Sequence, residues 1–166
     1  MSATDRDATP GIINRSGRLI RVGPNQVRVL AGIETGDPIG AVEYSIAPGF
    51  APPPVLHRHT REDAGWFVLQ GALALTFEND QTVVAGPGDS VTHPRGCWFR
   101  WGNANADEAA RAICWFAPAG FEQIFADIAT AADEHLAAGG SMDDFLPTLL
   151  AIRARYGDEP YPGTAS

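Results

Sequence analysis

The sequence predicts an all-β barrel or sandwich followed by helices, and three observations carry that expectation. Short runs in which apolar and polar residues alternate follow one another between Leu19 and Phe116. Gly, Pro and Asn cut these runs apart at turn-like intervals, the pattern of an antiparallel barrel rather than of strands alternating with helices. Beyond Phe116 the apolar period lengthens to that of a helix. At 166 residues the chain is long enough to bury one independent core, and no second domain is required.

Taken in order, residues 1–13 show no periodicity and read as an N-terminal arm. The alternating runs cover residues 19–22, 26–31, 41–47, 66–70, 72–78, 82–84, 90–93, 98–101 and 110–116. Glu78-Asn79-Asp80-Gln81 reads as a hairpin connection and Gly86-Pro87-Gly88-Asp89 as a turn. Phe121, Ile124, Phe125 and Ile128 then fall at helical spacing. Phe145, Leu149, Ile152 and Tyr156 repeat it over residues 142–156, with Pro147 early in the run. Gly139-Gly140-Ser141 separates the two, with Ser141 an expected N-cap. The helices are expected to pack outside the barrel, and the tail at 158–166, with Pro and Gly, to be loose.

The formal charge of -8 and the absence of a basic block argue against a nucleic-acid backbone or an anionic membrane as partner. The N-terminus has no apolar segment of signal-peptide type, and no apolar run approaches the roughly 20 residues of a membrane span. A soluble, cytoplasmic protein is therefore expected. Cys97 and Cys114 lack paired-cysteine metal spacing and read as reduced thiols in apolar surroundings.

Two stretches carry a family resemblance. Gly49 through Pro52-Pro53-Pro54 and His57-Arg58-His59 to Trp66-Phe67-Val68-Leu69-Gln70-Gly71 resembles the first motif of the cupin superfamily. Gly88-Asp89 through Pro94-Arg95-Gly96 to Asn103 resembles the second. Ala117-Pro118-Ala119-Gly120-Phe121-Glu122 and Arg155-Tyr156-Gly157 look like the C-terminal part of small bacterial single-domain cupins of the quercetinase-like kind. The resemblance implies a cupin-type barrel (double-stranded β-helix, or jelly roll) over residues 14–120, with C-terminal helices over 121–157 packed on it. It also implies a metal held by two histidines and a glutamate from the first motif and a histidine from the second. Here the histidines are His57 and His59, but the glutamate position is Ala64 and the other histidine position is Phe99. A homodimer is expected too, with the run over residues 19–31 as the pairing edge.

With half of the ligand set replaced, no cofactor is expected. The alternative is Fe, Mn, Ni, Cu or Zn held by His57, His59 and either Asp63 or His93. Strand parity places Ala64, Trp66 and Val68 on the face of His57 and His59, joined by Cys97, Phe99 and Trp101, while Trp98 and Arg100 face the other way. A histidine is costly to bury unless its nitrogens are paired, so two on one inward face point to a pocket role. His93 is expected at the barrel mouth, where it either replaces the missing histidine or is solvated. Glu62 and Asp63 read as solvated turn residues. The expected function is an enzyme, metal-independent and without net redox change: a cyclisation, isomerisation or dehydration of a polyketide-like or aromatic intermediate. His57, His59 and His93 are the expected catalytic residues. Trp66, Val68, Cys97, Phe99 and Trp101 are expected to hold a small, largely apolar or aromatic molecule. The alternatives are a quercetinase-like dioxygenase and a barrel that binds without catalysis.

Overall fold

The computed structural model describes residues 17–52 and 56–162. The expected N-terminal arm, Pro53-Pro54 and the last four residues of the tail lie outside the described residues. The strands form two facing sheets. The first runs, side by side, β1 (Leu19–Val22), β2 (Asn25–Ala31), β3 (Gly40–Ile46), β10 (Ala110–Ala117), β5 (Asp63–Gln70) and β8 (Ser90–His93). The second runs β11 (Asp158–Pro160), β4 (His57–His59), β9 (Phe99–Asn103), β6 (Leu73–Phe77) and β7 (Thr82–Ala85). All the pairings are antiparallel.

The alternation in the sequence becomes the two faces of each strand. In β3, Gly40, Val42, Tyr44 and Ile46 are buried while Ala41, Glu43 and Ser45 lie on the outer side. Across the pair, Tyr44 stands opposite Ala112 and Val42 opposite Cys114, so large and small side chains share the interior of one ladder. Ile46, Val68, Leu73 and Leu75 fill one part of the interior completely. Burying each such side chain contributes about 1.5–3 kcal/mol, which makes this the anchor of the fold.

The helices are α1 (Ile124–Ala137) and α2 (Leu146–Arg155). Pro147 occupies the first turn of α2, where its missing N–H leaves no hydrogen bond unmade, so it starts this helix rather than breaking it. The helices do more than pack outside the barrel. Ile124, Phe125 and Ile128 of α1 and Leu149 and Arg153 of α2 line an internal cavity. An amphipathic period states that one face is buried but not what it is buried against. No described helix is long and apolar enough to cross a membrane.

The segment after Gly157 is also not simply loose. Asp158–Pro160 pairs with β4, Thr60 N donates to the Gly157 carbonyl at 2.9 Å, and Tyr161 N donates to the Leu56 carbonyl at 2.7 Å. Gly71, between β5 and β6, has φ 73°, and a Cβ there would stand 2.9 Å from both Ala109 O and Ala110 Cα. Gly71→Ala therefore combines left-handed backbone with a clash and is expected to lose about 1–3 kcal/mol in urea denaturation. An unchanged midpoint would contradict this account of the hairpin.

Candidate functional site

The cavity measures about 720 Å³, within the roughly 300–1,000 Å³ usual for small-molecule sites. It lies between the sheets, with α1 and α2 along one side. Tyr44, Trp66, Trp101, Phe116 and Phe125 make its apolar walls. The aromatic rings meet edge-on or tilted, with Trp66 and Trp101 centroids 4.8 Å apart and Tyr44 5.5 Å from both Trp101 and Phe125. Leu136, Met142 and Leu146, all exposed, mark the open side.

The histidines gather on one wall. Alternation on β4 buries His57 and His59 and leaves Arg58 outside, where it pairs with Glu159 and lies over the Trp98 ring. His93, at the end of β8, is 2 % exposed and lines the same wall. The ring centroids of His57 and His59 are 5.7 Å apart, and those of His59 and His93 5.5 Å. Phe99 sits among the three imidazoles, 3.9 Å from His93 and 4.4 Å from His57, and Phe121 stacks on His59 at 4.2 Å.

Asp158 and Arg153 complete this wall, and the carboxylate of Glu62 stands beside His59 without lining the cavity. Glu62 is buried, with Oε1 2.8 Å from His59 Nδ1. The contact is out of line for a hydrogen bond, so both atoms remain without an aligned partner. The register of β11 on β4 puts Asp158 directly opposite His59, on the same face. Arg153, from the inner face of α2, takes both oxygens of Asp158: Nε donates to Oδ2 at 2.6 Å and Nη2 to Oδ1 at 2.9 Å.

Several expectations are corrected by this arrangement. Glu62 is not a solvated turn residue: it shares strand phase with Ala64, Trp66 and Val68 and so points inward with them. Asp63 faces out and accepts three hydrogen bonds from Arg95, which hold its carboxyl down at about 2, so it is no part of the site. Val68 is fully buried in the filled part of the core and does not line the cavity. Cys97 does not line it either, because residues 94–98 form a turn rather than strand and parity does not carry through them. Trp66, Phe99 and Trp101 do line it. Arg153 and Asp158 were not anticipated. The available signal was a charged residue in the apolar phase of α2, four positions after Leu149, with an acid shortly beyond it.

The site fits poorly the metal that the cupin resemblance implies. Ala64, opposite His93, and Phe99, opposite His57, offer no donor at the two remaining ligand positions. His57, His59 and Asp158 do bring three donor atoms within 4.8 Å of one another. Yet both oxygens of Asp158 already accept from Arg153, and a cation there would face that fixed positive charge. Glu62 meets a histidine nitrogen instead of joining the donor group.

A search against protein families matches residues 42–116 to the Cupin domain. The fold is shared with KdgF from Halomonas sp. (24% identity, TM-score 0.55, covering 67% of this chain and 96% of that one). It is shared with an RmlC-like cupin from Shewanella frigidimarina (18%, 0.52, 63% and 86%). It is shared as well with a Streptomyces Pac13 variant with uridine (19%, 0.50, 64% and 79%). No curated protein matches. At these identities the likeness establishes the fold.

The buried imidazole of His93 has a measurable consequence. Burial, then the neighbouring His59 and His57, push its pKa down to about 2. Unfolded, the same group takes up a proton near its reference value of about 6.5. Between those values the unfolded chain binds the extra proton, so stability falls as pH drops, by about 1.4 kcal/mol per pH unit. Urea denaturation at pH 6.5 and pH 5 should therefore show the native protein losing about 2 kcal/mol more than His93→Gln. Parallel losses would show that His93 titrates normally.

Proposed function

Residues 42–116 being a cupin domain, we propose that the chain is a small-molecule enzyme that moves protons on a largely apolar, aromatic or polyketide-like substrate without net redox change. The observation that carries this reading is His59, which lines an aromatic-walled cavity and has the buried carboxylate of Glu62 2.8 Å from its Nδ1. A carboxylate beside an imidazole favours the charged imidazolium, so it lets the ring accept a proton from carbon or oxygen inside a low-dielectric site. His59 acts as the base, and Glu62 balances the charge that forms.

The other groups divide the remaining work. His59 then returns the same proton at a second position of the substrate, with His57 beside it on the same face of β4. The Arg153–Asp158 pair supplies a fixed dipole on the same wall. Trp66, Trp101 and Tyr44 hold the apolar body and keep water out, which preserves the near-attack geometry that a cyclisation, isomerisation or dehydration requires. A chain-like substrate folded against these rings has its acidic carbons brought to the histidine wall.

The competing reading is a metal centre at His57, His59 and Asp158, favoured by the closeness of their donor atoms. Calorimetric titration with nickel separates the two. Weak binding that Asp158→Asn leaves unchanged supports the proton-transfer reading. Tight binding of one equivalent, abolished by Asp158→Asn, would transfer the case to the metal.

Turnover of an aromatic or polyketide-like diketone should survive chelator and the removal of dioxygen. His59→Gln should lower kcat by about 10²–10⁴-fold. Glu62→Gln should lower it less, because the neutral amide no longer balances the charge that forms on the ring. Activity that vanishes with chelator and returns with a single metal would overturn the proposal.

A further inference from the structure

The cavity wall holds two buried polar atoms that have no partner among the described residues and that the proton-transfer scheme does not use: Trp66 Nε1 and His93 Nε2. Trp66 is 3 % exposed and His93 2 %. A buried N–H or imidazole nitrogen left unsatisfied costs about 1–3 kcal/mol, so two in one wall call for a ligand group or a water. The sheet register puts them on one face of neighbouring strands. Ala64 pairs with His93 and Trp66 with Val91 on adjacent strands β5 and β8, which makes Trp66 and His93 diagonal neighbours on the cavity face.

We propose that these two nitrogens together hold one oxygen of the bound molecule, narrowing the substrate class to flat, apolar molecules that carry an enolic or phenolic hydroxyl. The indole N–H can only donate, so it requires an acceptor. A neutral imidazole nitrogen can accept. A single hydroxyl satisfies both, its oxygen accepting from Trp66 and its hydrogen reaching His93 Nε2. Rings flank them, Tyr44 6.0 Å from Trp66 and Phe99 3.9 Å from His93, with Cys114 opposite Trp66 and His59 5.5 Å from His93. The oxygen is thereby fixed while the ring or chain that bears it lies against Trp101. This assignment rests on reading the cavity as a small-molecule site, and it fixes which atom of the substrate is anchored.

Nitrogen-15 NMR tests it without any turnover. The chain has four tryptophans, so its indole region holds four cross-peaks, and single Trp→Phe changes at Trp98, Trp101 and Trp115 assign the fourth to Trp66. The probes are 2-naphthol and 2-methylnaphthalene, alike in shape but differing in the hydroxyl. The Trp66 indole proton should move downfield with 2-naphthol and not with 2-methylnaphthalene. Trp66→Phe should weaken 2-naphthol by about 3–10-fold relative to 2-methylnaphthalene, and His93→Leu should do the same. Equal shifts with both probes, or an unmoved Trp66 peak while both bind, would overturn the assignment. Because the readout is binding, a Trp66 response in a protein that turns nothing over would leave the anchor standing and remove only the catalytic reading.

Discussion

The pairing of β11 with β4 is the contact on which the site depends. β4 carries both histidines, yet it meets β9 of its own sheet through one residue pair, His57 with Phe99. Its other edge is covered by Asp158–Pro160 over three residue pairs. A three-residue strand held by one bridge would have little to fix its register, and a slip of one residue would turn both imidazoles to the outside. The buried Arg153–Asp158 pair then ties β11 to α2. Removing one member of such a pair strands the other charge in a low dielectric, so the two are held together by the cost of separating them.

That pair also decides what chemistry the wall offers. The same carboxylate that stands within reach of His57 and His59 is already neutralised by a guanidinium. The positions that would have supplied further donors are a methyl group and a phenyl ring. Phe99 does not leave a gap: it packs against His57, His59 and His93 and keeps their surroundings dry. Drying an imidazole favours its neutral form, as the depressed pKa of His93 reflects. The wall thus combines a neutral His93 with a His59 that has a carboxylate beside it, and such unlike environments separate the roles of otherwise identical side chains.

Much of this was legible from residue order, because a strand's two faces follow from its period. Tyr44, Trp66, Phe99 and Trp101 all lie on the face that alternation assigns them, and the fold class follows from the same pattern. Parity fails at Cys97, where the chain turns, and holds at Glu62, whose carboxylate lies inside although its charge reads as that of a solvated turn residue. Arg153 and Asp158 were hidden for another reason. The two meet each other locally, but their place beside His57 and His59 depends on a strand pairing between residues about a hundred positions apart, and no local period encodes that. The helices' role as cavity wall was hidden in the same way.

The central claim is that the histidine wall moves protons with its own groups, and the metal content of the native chain tests it most directly. Protein purified without an affinity tag, from cells grown with ample transition metals, should contain far less than one metal ion per chain by elemental analysis. A content near one per chain that disappears in both His57→Ala and Asp158→Asn would contradict the account.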